Sequence, residues 1–118
     1  MNPATLSALA EPTRLQMVEL LNKGPLTVGD IALCLQIRQP QASKHLRILS
    51  EAGLVEAEAV ANRRIYRLRA PPFQELDVWL SAYRQLWVER FDQLEDHLQR
   101  LQQTASENAP PPPAAQSD

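Results

Sequence analysis

The sequence predicts a mainly α fold that carries one small β-hairpin. Three observations carry the prediction. Apolar residues recur at helical spacing along most of the 118-residue chain, the period changes to two between Leu54 and Leu68, and Pro and Gly fall where helices begin and end. A chain of this length allows one domain with a modest core, to which burial in a dimer would add.

Thr5 to Leu9 reads as a short helix. Pro12 opens a second, with Leu15, Val18 and Leu21 at helical spacing and Gly24-Pro25 after its end. Thr27-Val28-Gly29-Asp30 follows the capping-box pattern, with Asp in place of Glu or Gln, and starts a helix from Val28 to about Leu35 that buries Ile31 and Leu35. Gln36-Ile37-Arg38 makes a short connection. Pro40 then opens a helix that runs to about Ala52, and Gly53 supplies the left-handed residue that ends it. Leu54–Val60 and Arg63–Leu68 alternate as two strands around Ala61-Asn62, where Asn tolerates the positive φ of a tight turn. After Pro71-Pro72 comes the longest helical pattern, from about Phe73 to Gln103. Two helices joined by a short turn and followed by a basic hairpin predict a winged helix-turn-helix.

The net charge of −2 hides a segregation. Arg38 to Arg69 holds seven basic and three acidic side chains, net +4; Pro71 to Asp118 holds three basic and eight acidic, net −5. A basic middle suits a polyanion, although a charged face can also be merely solvated. No apolar run reaches the length of a membrane span, and Met1 to Thr5 has neither the basic nor the apolar part of a signal peptide. The expected location is therefore the cytoplasm. A lone cysteine, Cys34, excludes an intrachain disulfide framework.

On a helical wheel of Pro40–Ala52, Ala42, Leu46 and Leu49 share one face, with His45 at its edge. Gln41, Ser43, Lys44 and Arg47 spread over the rest. An apolar docking face backed by hydrogen-bonding and cationic groups is what a major-groove helix needs. Its first turn singles out Gln39, Gln41, Ser43 and Lys44; Gln pairs bidentately with adenine, and Lys44 and Arg47 can reach guanine or phosphate. Arg63, Arg64 and Arg67 of the hairpin suit phosphate contact or a narrow minor groove.

Ala8-Leu9-Ala10-Glu11-Pro12-Thr13-Arg14 with Val18-Glu19-Leu20-Leu21, Gln39 through Leu49, Ala52-Gly53-Leu54-Val55 and Asn62 through Leu68 together resemble the ArsR family of winged-helix repressors. The resemblance runs from Leu6 to Leu68. It implies a homodimer built on the first and last helices and repression released by an effector of unidentified chemistry. It also implies that Ser43 and His45 contact DNA; the wheel gives His45 a half-buried position, and of the two a place near the groove is expected, with a packing histidine as the alternative. The sequence departs from the family in having Arg38 as a poor helix cap, Gln41 where Thr is frequent, Asn62 at the hairpin tip, and Ile48 on the polar side, where only packing against the hairpin accounts for it.

The Cys-x-Cys positions through which many family members sense metals are Thr27 and Gly29 here, and His97, near Glu95 and Asp96, is the one histidine of the last helix. No metal and no cofactor is expected. Cys34 reads as a buried structural cysteine. Leu76, Leu80, Tyr83, Trp87, Phe91 and Leu94 form a stripe read as the dimer interface, with a ligand pocket in that seam as the weaker alternative. The expected organisation is a DNA-binding core over 1–70, a dimerisation helix of the same domain over 71–104 and a disordered Pro/Ala-rich tail over 105–118. No nucleophile motif or phosphate loop supports catalysis. The competing reading is a winged-helix protein-interaction module without specific DNA binding, against which the basic segment and Ser43-Lys44-His45 argue.

Overall fold

The computed structural model describes residues 1–108. The chain forms two compact units, Met1–Trp79 and a second from Leu80 onward.

The first unit begins with α1 (Pro3–Leu9) and α2 (Pro12–Leu21), followed by β1 (Leu26–Thr27), α3 (Val28–Leu35) and α4 (Gln39–Glu51). The hairpin β2 (Val55–Val60) and β3 (Arg63–Leu68) comes next, and then α5 starts at Ala70. Each start has a local cause. Pro3, Pro12 and Pro40 sit in first turns, where a missing N–H costs nothing. The Thr27 hydroxyl accepts a bond from the Asp30 N–H at 3.2 Å and caps α3. Arg38 precedes α4 with no side-chain cap at all.

Two helix ends share one device. The Gln36 and Ile37 N–H groups donate back to the Leu33 and Ala32 carbonyls, and those of Gly53 and Leu54 donate back to Ser50 and Leu49. Both are Schellman closures, and both need a left-handed residue. Gly53 takes it at φ 76°, and Gln36 takes it at φ 55° with a side chain attached.

Met17, Ile31, Leu46, Leu49, Leu54 and Val55 are the largest fully buried side chains, and Tyr66 seals the sheet side. Each such aliphatic side chain contributes roughly 1.5–3 kcal/mol by leaving water. The buried arc of α2 is Met17, Val18 and Leu21; Leu15, expected in it, lies outside and is 43% exposed. Cys34 is exposed, contrary to expectation. In so short a helix Ile31, Ala32 and the half-buried Leu35 fix the inward arc, and positions 33 and 34 face out.

The sheet is three-stranded, ordered β1-β3-β2, and antiparallel throughout. β1, at two residues, is too short to leave a periodic signal in the sequence; it pairs Leu26 with Tyr66 and Thr27 with Ile65. The hairpin register runs from Val55 opposite Leu68 to Val60 opposite Arg63. At the tip the positive φ belongs to Ala61, at 56°, and not to Asn62.

The single helix expected from Phe73 to Gln103 is two helices. α5 spans Ala70–Ser81 and takes both prolines into its first turn, and α6 spans Arg84–Asn108. Between them the i→i−4 ladder gives way to tighter bonds, Tyr83 N–H to Leu80 O and Leu86 N–H to Tyr83 O. No Gly or Pro marks that break. In the second unit, α6 is about 37 Å long. It continues past residue 105 to Asn108; the rest of the expected tail lies outside the described residues.

Candidate nucleic-acid interface

The inner stripe of α4, formed by Ala42, Leu46 and Leu49, is fully buried and fixes the rotation of the helix. Everything else on α4 follows from that rotation. Gln39, Gln41 and Lys44 are exposed. Ser43, Arg47 and Ser50, at i, i+4 and i+7, line a cleft of about 550 Å³ against the hairpin. Val28, Ala57, Arg64 and Tyr66 complete its walls. His45 and Ile48 turn the other way. Ile48 borders a hollow with Ala4, Ser7, Ala8 and Arg14, so it packs toward α1 and not against the hairpin as expected.

His45 is held between its two readings. Its side chain is 24% exposed, and its Nδ1 lies 3.7 Å from Glu11 Oε2. That nitrogen is buried and makes no hydrogen bond. Glu11 is itself engaged: its Oε2 accepts the Arg14 N–H at 2.8 Å and caps α2. This bond holds the carboxyl below the ordinary Glu value; burial opposes the shift, and the nearby His45 and Arg14 charges reinforce it. Arg14 Nε donates to Ala8 O at 2.7 Å and ties the end of α1 to the same joint. Glu11 thus meets α4 at His45 while Arg14 ties α1 to α2, roles visible in the sequence only as part of the stretch from Ala8 to Arg14.

The pleat separates the hairpin arginines. Residues two apart share a face, so Arg64 joins Tyr66 and Ala57 on the α4 side. Arg63 and Arg67 fall on the opposite face. Arg67 there pairs with Glu58, and Arg69 Nε lies 3.8 Å from Glu56. The three arginines read together from sequence are therefore not one cluster. On α4, Arg47 Nε donates to Glu51 Oε1 at 3.1 Å, with the two side chains 80% and 66% exposed. Among the described residues Arg38, Lys44, Arg63 and Arg64 form no ion pair. Ser50 and Glu51 were not singled out from sequence, although Ser50 continues the spacing of Ser43 and Arg47.

Among the described residues no group of three or more His, Cys, Asp or Glu side chains is placed to hold a metal ion. None of the described helices is long and apolar enough to cross a membrane.

In α6, Trp87, Phe91, Leu94, Leu98 and Leu101 recur at steps of four and three, and all are exposed. Leu80 and Tyr83 are exposed as well, and Leu76 of α5 is half-buried.

Residues 11–57 match the model of the bacterial regulatory protein, arsR family. The HTH-type transcriptional regulator Rv2034 of Mycobacterium tuberculosis is 44% identical over 61 residues, which are 52% of this chain and 57% of that protein. The chain thus spans little more than half the length of that relative. The transcriptional repressor SdpR of Bacillus subtilis is 33% identical over 76 residues, 64% of this chain and 84% of the repressor. Among solved structures, the homodimeric winged helix-turn-helix DNA-binding domain of Mb0332 from Mycobacterium bovis superposes with a TM-score of 0.59 at 31% identity. That superposition covers 69% of this chain and 75% of that domain.

Proposed function

This chain belongs to the arsR family of bacterial regulatory proteins, and on that premise we propose that it is a homodimeric transcriptional repressor that binds a two-fold symmetric promoter site. One observation carries the reading. The buried stripe of α4 leaves Gln39, Gln41 and Lys44 exposed, beside a cleft that Arg47 and Arg64 line from two elements. Exposed Gln and Lys are groups that read base edges, and paired arginines are groups that grip phosphates. Ser43 works at the border of the two. His45 serves mainly to position α4. Arg63 reaches phosphate from the hairpin tip, and Arg67, paired on the outer face, contributes less.

A second copy covers the apolar stripe of α6. Its four-three spacing is that of a coiled-coil seam, and Leu76, Leu80 and Tyr83 extend the interface. The repressor works in the cytoplasm. An effector that releases it would act through groups other than a Cys-x-Cys pair, since residues 27 and 29 are Thr and Gly.

The test is binding of the purified protein to a labelled fragment of its own promoter, against a random competitor duplex, over a salt series. Competitor-resistant binding with a two-fold footprint is expected. Half-sites should lie about one helical turn apart, or a multiple of that distance. A folded, dimeric protein that binds no duplex would overturn the reading in favour of an interaction module.

A further inference from the structure

The cleft between α4 and the hairpin has the chemistry of a phosphate seat. Ser43, Ser50 and Arg47 of α4 and Arg64 of β3 line it, with Tyr66 in its wall. Arg64 carries no carboxylate partner among the described residues, whereas Arg47 is held by Glu51 one helical turn along α4. That pair is exposed and so is weak. A phosphodiester offers Arg47 an alternative bidentate acceptor at little cost.

We propose that the cleft seats one phosphodiester of the DNA backbone and that Glu51 is a specificity-determining residue, because it competes with that phosphate for Arg47. The inference rests on the DNA-binding reading above. With Glu51 in place, Arg47 leaves its partner more readily where the rest of the face fits the duplex well. Random DNA, which fits poorly, engages Arg47 less fully and leans on Arg64. Glu51 thereby lowers affinity for arbitrary sequence more than affinity for the operator.

The experiment is a double-mutant cycle of Glu51→Gln and Arg47→Ala, read as duplex affinity over a salt series. Both side chains are exposed, so folding is unaffected, and circular dichroism verifies it. Glu51→Gln should tighten binding to random duplex several-fold and steepen its salt dependence by roughly one neutralised phosphate. The operator should gain less. In the Arg47→Ala background the Glu51→Gln gain should disappear. A gain that persists without Arg47 would mean a general charge effect and would overturn the proposal, as would an unchanged affinity in Glu51→Gln. Inorganic phosphate titrated into the protein alone provides the second arm. No saturable shift of the Ser43 and Ser50 amides is expected at millimolar phosphate; saturation there would make the cleft a free-anion site and overturn its assignment to DNA. A wild-type protein that binds no duplex would instead sink the underlying function.

Discussion

Glu11 Oε2 and His45 Nδ1 face each other at 3.7 Å, so the residue that caps α2 also touches the helix that would enter the groove. The Glu11 carboxyl is held below its ordinary value, chiefly by the Arg14 N–H. A depressed carboxylate contributes stability above its unfolded pKa, near 4.5, and loses it as pH falls through the lower folded value. Glu11→Ala should therefore lower the Tm at pH 7, and the gap to wild type should close as pH drops below that range. Thermal melts at a series of pH values check it; a constant gap down to the most acidic melt would show that the carboxylate charge is not what matters.

The uncapped start of α4 is a correctable weakness. Arg38→Ser supplies an oxygen for the orphan N–H groups and should raise stability by about 1 kcal/mol. The same change removes a cation beside the recognition surface and should weaken binding to every duplex. Denaturant titration and a binding series on one preparation would show the two effects with opposite sign.

The two Schellman closures predict opposite responses to glycine chemistry. Gln36→Gly relieves a left-handed side chain and should stabilise by roughly 0.5–1 kcal/mol, after the extra freedom of the unfolded chain is counted. Gly53→Ala should destabilise by about 1 kcal/mol or more. Its φ is 76°, and the new Cβ would lie 3.3 Å from Arg69 Nη1. Equilibrium unfolding of the pair decides it.

The separation of the hairpin arginines predicts unequal losses. Arg64→Ala should weaken all duplexes and reduce the salt slope by about 1, whereas Arg67→Ala should do much less. Gln41→Ala should act on sequence preference, costing about 1–3 kcal/mol at one base position. Equal effects of Arg64→Ala and Arg67→Ala would contradict the assignment of faces.

The α6 seam is tested by charge. Leu94→Glu places two carboxylates in the middle of a symmetric interface, which should convert the dimer to a monomer at micromolar concentration and weaken operator binding. Light scattering reads the first effect. A variant that stays dimeric would place the partner contact elsewhere.

Much of the first unit was legible because its causes are local. Pro12, Thr27 and Gly53 act within a turn of themselves, and alternation over Arg63–Leu68 needs no knowledge of the partner strand. The misses have non-local causes. β1 has two residues and exists only because Tyr66 and Ile65 present an open edge to it. Ala61 carries the positive φ because the register of the whole hairpin sets it there. The Ser81–Arg84 break has no Gly or Pro to announce it. The site was legible in residue type but not in direction. Strand parity places Arg64 and Arg67 on different faces, although their shared charge makes them look like one group. The Arg47–Glu51 pair, at i and i+4 of one helix, was open to the same spacing argument, whereas the approach of Arg64 to the cleft beside Arg47 needs the fold.

Thr27 belongs to two elements at once. It is the last residue of β1, opposite Ile65, and the cap of α3. The hairpin and the first helix of the helix-turn-helix therefore meet at a joint with no slack. An inserted residue at the Ala61-Asn62 tip only lengthens the hairpin. An insertion between Leu26 and Val28 forces a choice between the strand pairing and the cap, so the chain tolerates length variation at one end of the hairpin and refuses it at the other.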